Sequence, residues 1–308
     1  MGRDRDRELL HPPLEGSGAD AARSHVGSPT LVGVSLATAL LGMHGLGPSA
    51  RRLRSAVSGR LIVITGASRG IGATAAGRLA LAGARVILLA RSEDDLSAVV
   101  ARIRARGGSA EWIAVDLRDT DAAAAAGTRI LTEFGVPDVV VSNAGHSIHR
   151  SLADYADRFH DVTRTAGVNF LGPVALLLPL LPAMTERGSG HLVSVSSTSV
   201  SLPAPGWSVY GASKSAFEAW LRAVAPELLA RGVATTSIRL PLVHTAMSAP
   251  TYAGMPGLDV RGAAQLVCRA IVDRPRLISP WWVRLGGLVM EAAPGVADRV
   301  LARWDPTR

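Results

Sequence analysis

The chain has 308 residues, 48% of them apolar and 19% charged, a globular composition long enough for one large domain or two small ones. A single cysteine, Cys268, excludes an intrachain disulfide framework and a cysteine-rich metal cluster, and an aromatic content of 4% argues against a nucleic-acid reader built on stacking platforms. The net charge of +8 rests on 33 basic residues, all arginine except Lys214, and they are spread along the chain as solvated charge is.

Residues 1–30 read as a tail. Arg3 to Glu8 alternates in charge, and Pro12-Pro13, Gly16, Gly18 and Ser28-Pro29 supply turns without a periodic apolar face. Residues 31–57 form an apolar and then basic segment: Leu31 to Leu46, then Gly47-Pro48, then Arg51-Arg52-Leu53-Arg54. The apolar run is shorter than the roughly twenty residues a membrane span needs, and it makes a poor signal peptide. Peripheral membrane contact, a helix packed on the domain, and a translation start at Met43 all remain open.

From Arg60 the pattern is regular. Buried-strand runs are expected at Leu61–Ile64, Arg85–Ala90, Trp112–Val115, Val136–Val141, His191–Ser196 and Ala234–Leu240. Helical stretches fall between them at Gly70–Leu81, Ser92–Arg106, Ala122–Phe134, 152–184 and Tyr210–Arg231. Apolar strands alternating with long helices predict an α/β fold, a Rossmann-type doubly wound parallel sheet. The expected division is a domain over 58–282, with a C-terminal helical extension over 283–308.

The first strand runs into Thr65-Gly66-Ala67-Ser68-Arg69-Gly70-Ile71-Gly72. In this reading Gly66 permits a sharp turn, Gly70 lets backbone approach a pyrophosphate, and Gly72 lets helix pack close to strand. The helix start then offers unpaired N–H groups to phosphate oxygens. At the end of the second strand, where an NAD site places an acid, this chain has Arg91. Arg91 and Arg69 suit a 2′-phosphate, so NADP(H) is the expected cofactor.

Tyr210-Gly211-Ala212-Ser213-Lys214 puts a phenol and the only ammonium side chain four residues apart, on one helix face. A nearby ammonium favours phenolate, which predicts a lowered Tyr210 pKa. Ser197 ends the fifth strand, where its hydroxyl is available to a substrate oxygen.

These motifs together make residues 60–245 resemble the short-chain dehydrogenase/reductase family. The glycine turn at Thr65–Gly72, Asp116-Leu117, Asn143-Ala144-Gly145, Asn169, Ser197, Tyr210 and Lys214 follow the family's order and spacing. The resemblance implies that Tyr210 gives a proton to a carbonyl oxygen as hydride arrives. It further implies that Lys214 tunes Tyr210 and binds ribose, Ser197 orients the carbonyl, and Asn169 holds a water in a proton relay. Gly66, Ser68, Arg69, Gly70, Ile71, Gly72, Arg91, Asp116, Leu117 and Asn143 would line the cofactor, together with Tyr210, Lys214 and Thr245. One departure stands out. Pro241-Leu242 replaces the family's usual Pro-Gly, and His244 is expected to be a loop residue.

The run Leu240 to Thr251 is similar to a subgroup that resembles bacterial fatty acyl-CoA reductases and related lipid-active reductases. That similarity implies an apolar carbonyl or acyl substrate. The Trp281-Trp282, Leu285 and Leu288–Met290 stretch reads equally as an acyl cover, a membrane contact, a core cap or an oligomer interface. A homo-oligomer is implied by the family alone. A steroid-like or small carbonyl substrate, and a non-catalytic dinucleotide sensor, are the alternatives.

Overall fold

The computed structural model describes residues 47–248, 255 and 257–303. The expectations for residues 1–46 and for Ala249–Thr251 fall outside the described residues.

The architecture is the predicted one, a parallel sheet of seven strands in the order β3-β2-β1-β4-β5-β6-β7. The strands are β1 Leu61–Thr65, β2 Arg85–Ala90, β3 Ser109–Ala114, β4 Val139–Ser142, β5 Gly190–Ser197, β6 Val233–Leu240 and β7 Leu277–Ile278. The helices are α1 Ala50–Val57, α2 Gly70–Leu81, α3 Glu93–Arg104, α4 Thr120–Glu133, α5 Phe159–Ala166, α6 Gly172–Glu186, α7 Ser208–Ala230, α8 Val260–Asp273, α9 Trp281–Ala292 and α10 Pro294–Leu301. The two-residue β7 lies outside the six strands expected from sequence, because two residues carry no periodicity to detect.

Strand alternation sorts the core into two layers. Ile62, Ile64, Val86 and Leu88 face α1, α2, α3 and α8. Leu61, Val63, Ile87 and Leu89 face α4, α6 and α7. Part of the basic segment belongs to this core. Leu53 and Val57 of α1 are buried, and Arg52 pairs with Asp273 of α8 at 2.9 Å. Residues 50–57 thus form a helix packed on the domain, while the apolar run Leu31–Leu46 lies outside the described residues.

One described stretch, Phe159–Glu186, is long and apolar enough to cross a membrane, but half of it is buried within the domain. Leu176, Leu177, Leu180 and Met184 of α6 pack in the second core layer, as a core helix does.

The strand order reverses between β1 and β4, which opens a crevice at their C-terminal ends. Thr65 holds the two strand ends together: its hydroxyl accepts from the N–H groups of Asn143 (3.0 Å) and Ala144 (2.9 Å). The Asn143 amide returns the tie by donating to the carbonyls of Thr65 (2.9 Å) and Gly66 (3.2 Å).

Candidate active site

The glycine turn sits in this crevice. Gly66 and Gly70 have φ of +65° and +57°, a region that side chains rarely occupy. A Cβ on Gly72 would lie 2.4 Å from the Gly66 carbonyl oxygen, so α2 touches the turn backbone. A Cβ on Gly70 would meet only the Thr245 methyl, at 3.9 Å. The space before Gly70 is thus left open by the protein, with Thr245 on its far side. The N-terminus of α2 has no side-chain cap and no acid in its first turn, which leaves its N–H groups for an anion. Ile71 packs partly on the first core layer, and Ser68 is half-buried.

Arg69 and Arg91 are exposed at the mouth of this crevice, and neither has an ion pair among the described residues. Asp116 behaves differently. Its carboxylate accepts from the Arg118 N–H (3.0 Å) and Nε (2.8 Å), and these bonds hold its pKa below the usual carboxylate range. Leu117 is buried in the second core layer, with its carbonyl against Gly172.

The residues expected at the reaction centre come from three elements. Asn169 lies in a π-helical turn, Gly167–Leu171, between α5 and α6, and such turns reset the direction of side chains within a helix. Its Oδ1 accepts from the His146 N–H at 2.8 Å, and its Nδ2 donates to the His146 carbonyl (2.9 Å) and Ser213 Oγ (2.9 Å). Lys214 is buried on α7, and its Nζ donates to the Val195 carbonyl at 3.1 Å. Gly145 makes room for both: a Cβ there would stand 3.1 Å from Lys214 Nζ and 3.3 Å from Asn169 Oδ1. Ser197 ends β5 and accepts from the N–H and Oγ of Ser199.

The electrostatics differ from the expectation at Tyr210. Its pKa is raised, because burial disfavours phenolate more than the Ser197 hydroxyl favours it. Lys214 is not among the causes. Burial depresses the ammonium itself, to about 8. The phenol therefore stands protonated at neutral pH.

Thr65, Gly145 and Ser213 lie inside the quoted motifs but were not among the expected site residues. Their roles come from contacts across the fold. Glu218 was also missed. Buried one turn beyond Lys214, it pairs with Arg239 of β6 and accepts from Ser196 Oγ (2.7 Å) and Ser237 Oγ (3.2 Å). An acid at helical spacing from Lys214 was its only sequence signal.

The Pro241-Leu242 departure is accommodated by pairing. The Leu242 carbonyl accepts from Leu258 N–H, and His244 N–H donates to the Leu258 carbonyl, both at 2.8 Å. The His244 side chain is exposed on this loop. Beyond Ser197, α9 lies against residues Ser201 and Leu202 through Gly286 and Gly287, while Trp281, Leu285, Leu288 and Val289 face outward.

Known proteins similar to this chain fall in one family. The family model for short chain dehydrogenases matches residues 60–255. A fatty acyl-CoA reductase of Acinetobacter baylyi is 41% identical over 251 residues, covering 81% of this chain and 85% of the relative. A fatty acyl-CoA reductase of Mycobacterium tuberculosis is 41% identical over 227 residues, 73% of this chain and 77% of the relative. Among solved structures, a metagenomic short-chain oxidoreductase in complex with NADP superposes with a TM-score of 0.63 at 32% identity, covering 73% of this chain and 96% of the other. A 3-oxoacyl (acyl-carrier-protein) reductase from Agrobacterium tumefaciens with NADP bound gives 0.66 at 28%, covering 75% and 96%. The turn, the crevice and these matches agree that the chain belongs to the short-chain dehydrogenase family.

Proposed function

We propose that the protein is an NADP(H)-dependent reductase of apolar carbonyl or fatty-acyl substrates, with Tyr210 as the proton donor. The observation that carries this reading is the half-buried Tyr210 one helical turn from the buried Lys214 on α7, with Ser197 at the end of β5. The open space before Gly70, the uncapped α2 and the unpaired Arg69 and Arg91 suit a dinucleotide with a 2′-phosphate. NADPH held there supplies the hydride.

The chain's own residues then do the rest. Ser197 donates to the carbonyl oxygen and fixes it beside the phenol. Tyr210 transfers its proton as negative charge grows on that oxygen. Lys214 keeps a positive charge near the resulting phenolate. Asn169, anchored through both ends of its amide to His146, orients the Gly145–His146 backbone beside the ammonium. The apolar substrate class follows from the named reductase relatives and from the apolar face of α9 near the loop after Ser197.

The test is NADPH oxidation with aldehydes, ketones and acyl thioesters across chain length, and with NADH beside NADPH. The expected result is turnover of long apolar substrates with NADPH preferred, lowered by about a hundredfold or more in Tyr210→Phe. Faster turnover with NADH would overturn the cofactor assignment, and undiminished activity in the variant would overturn the mechanism.

A further inference from the structure

A second polar cluster lies between β4 and α6, and its Arg164 lines a cavity with Asp116 and Arg118. At its centre is Asp161 of α5, whose side chain has 0% exposure because other side chains roof it over. Three guanidinium groups converge on it: Arg158 Nε at 2.8 Å, Arg150 Nε at 3.0 Å and Arg164 Nη2 at 3.2 Å. His160 Nε2 approaches to 3.5 Å. Each arginine spends one guanidinium nitrogen on the carboxylate, and its other guanidinium N–H groups have no hydrogen bond among the described residues. Asp154, on the same stretch, bonds Ser151, and neither it nor Asp157 forms an ion pair with the cluster. One carboxylate cannot neutralise three cations, so unspent positive charge and planar donor forks face outward here.

A second observation points the same way. Four of the five buried side-chain polar atoms without a hydrogen bond among the described residues are His146 Nε2, Tyr155 Oη, Thr165 Oγ1 and Asp161 Oδ1, the last keeping its ion pairs with Arg164 and His160. All four belong to the stretch 146–165, and such atoms mark where polar occupants are missing. This stretch also borders the reaction centre. The Arg150 N–H donates to the Gly206 carbonyl at 2.8 Å, and the His149 ring lies 4.0 Å from that of Trp207, the residue before α7 and three before Tyr210.

We propose that Arg150, Arg158 and Arg164, gathered on Asp161, bind the phosphate groups of a thioester substrate's carrier while the acyl carbonyl lies at Tyr210. This rests on the reductase reading above. The chemistry recognised is a phosphate monoester or diester on a pantetheine arm, carried by coenzyme A or by an acyl carrier protein. In the reaction so served, hydride from NADPH adds to the acyl carbon and the C–S bond breaks. One proton is taken up, and the products are the aldehyde, the free thiol and NADP+.

The experiment uses the full chain saturated with NADPH, so that the dinucleotide crevice is filled. Coenzyme A without an acyl group is titrated by calorimetry into the wild type, Arg158→Gln/Arg164→Gln and the lysine pair Arg158→Lys/Arg164→Lys. In parallel, kcat/KM is measured for hexadecanoyl-coenzyme A, hexadecanoyl-carrier protein, hexadecanoyl-pantetheine lacking phosphate, and hexadecanal. The glutamine pair is expected to lose about tenfold or more in kcat/KM for phosphate-bearing thioesters relative to hexadecanal, with the lysine pair partly restoring it. A loss confined to the coenzyme A or the carrier-protein substrate identifies the source. Equal ratios in wild type and glutamine variant, or an unchanged response to coenzyme A and carrier protein alike, overturn the site. Failure of every substrate with coenzyme A binding still lost in the variant overturns the reductase reading and leaves the site standing.

Discussion

At the scale of single residues, Lys214 is the side chain with the least freedom to change. Its ammonium is boxed between the Val195 carbonyl, Asn169 and the bare backbone of Gly145. A guanidinium is planar and wider, and its nitrogens cannot converge on one point as a compact ammonium does. Lys214→Arg keeps the charge, yet it is expected to lower kcat by about a hundredfold or more in steady-state assays. Near-full activity would make the chain's one lysine an accident of composition. The depressed Lys214 pKa also has a sign. Free enzyme carries the ammonium below pH of about 8 and loses it above, so kcat/KM for NADPH falls as pH rises through that value. The raised Tyr210 pKa keeps the acid form available over the same range, so the proton donor is not what fails there.

At the scale of elements, the contact between the glycine turn and α2 decides whether the crevice exists. Gly72→Ala drives a methyl into the Gly66 carbonyl, backbone against backbone, where no rotamer relieves it. The expected cost is about 1–3 kcal/mol, together with a raised KM for NADPH as α2 is pushed outward. Gly77, on the same helix with nothing within 4 Å of its Cβ position, is the internal control. Gly77→Ala is expected to stabilise by about 0.5–1 kcal/mol through helix propensity alone, and thermal melts of the two variants should move in opposite directions.

This contrast also explains what the sequence made legible. The bounds of β2 and α2 could be read directly, and β1 runs only one residue past its expected end, to the buried Thr65. The strand β3 has exposed Ser109, Glu111 and Ala114, and its expected start lay three residues late because its first half carries two polar residues, Ser109 and Glu111. The paired motif residues Tyr210 and Lys214 were visible through local spacing. Gly145 and Glu218 were not, because their partners lie on other strands and helices. The Tyr210 shift was misjudged for a related reason: burial is a property of the fold, and it outweighs the neighbouring charge that spacing reveals.

At the scale of the whole molecule, one buried histidine ties stability to pH. His191 of β5 has no exposure, and its Nε2 lies 2.8 Å from Thr236 Oγ1, whose own proton goes to the Pro275 carbonyl. The ring therefore donates from Nε2 and is neutral. Burial depresses its pKa from 6.5 to about 3. Between those values the unfolded chain binds a proton that the native state refuses, so native stability falls as pH drops below 6.5. The slope is at most about 1.4 kcal/mol per pH unit from this group. Thermal melts are expected to decline from pH 6.5 toward about 5, with a shallower decline in His191→Gln. An identical slope in the variant would assign the acid sensitivity elsewhere.

The Thr65–Asn143 tie carries a consequence for how the molecule comes into being. The two residues stand 78 positions apart in the chain, and the strands they close are β1 and β4, with two complete strand–helix units between them. A nascent chain released only as far as residue 142 holds every glycine of the turn and strand β4, but not Asn143 and Ala144, which tie the two strand ends together. Cofactor capture, and the stabilisation it brings by mass action, therefore begins only after the chain has grown past Asn143. Until then the first half of the sheet must stand on its own hydrophobic contacts, and a closure this distant in sequence is one of the slower steps a domain can require.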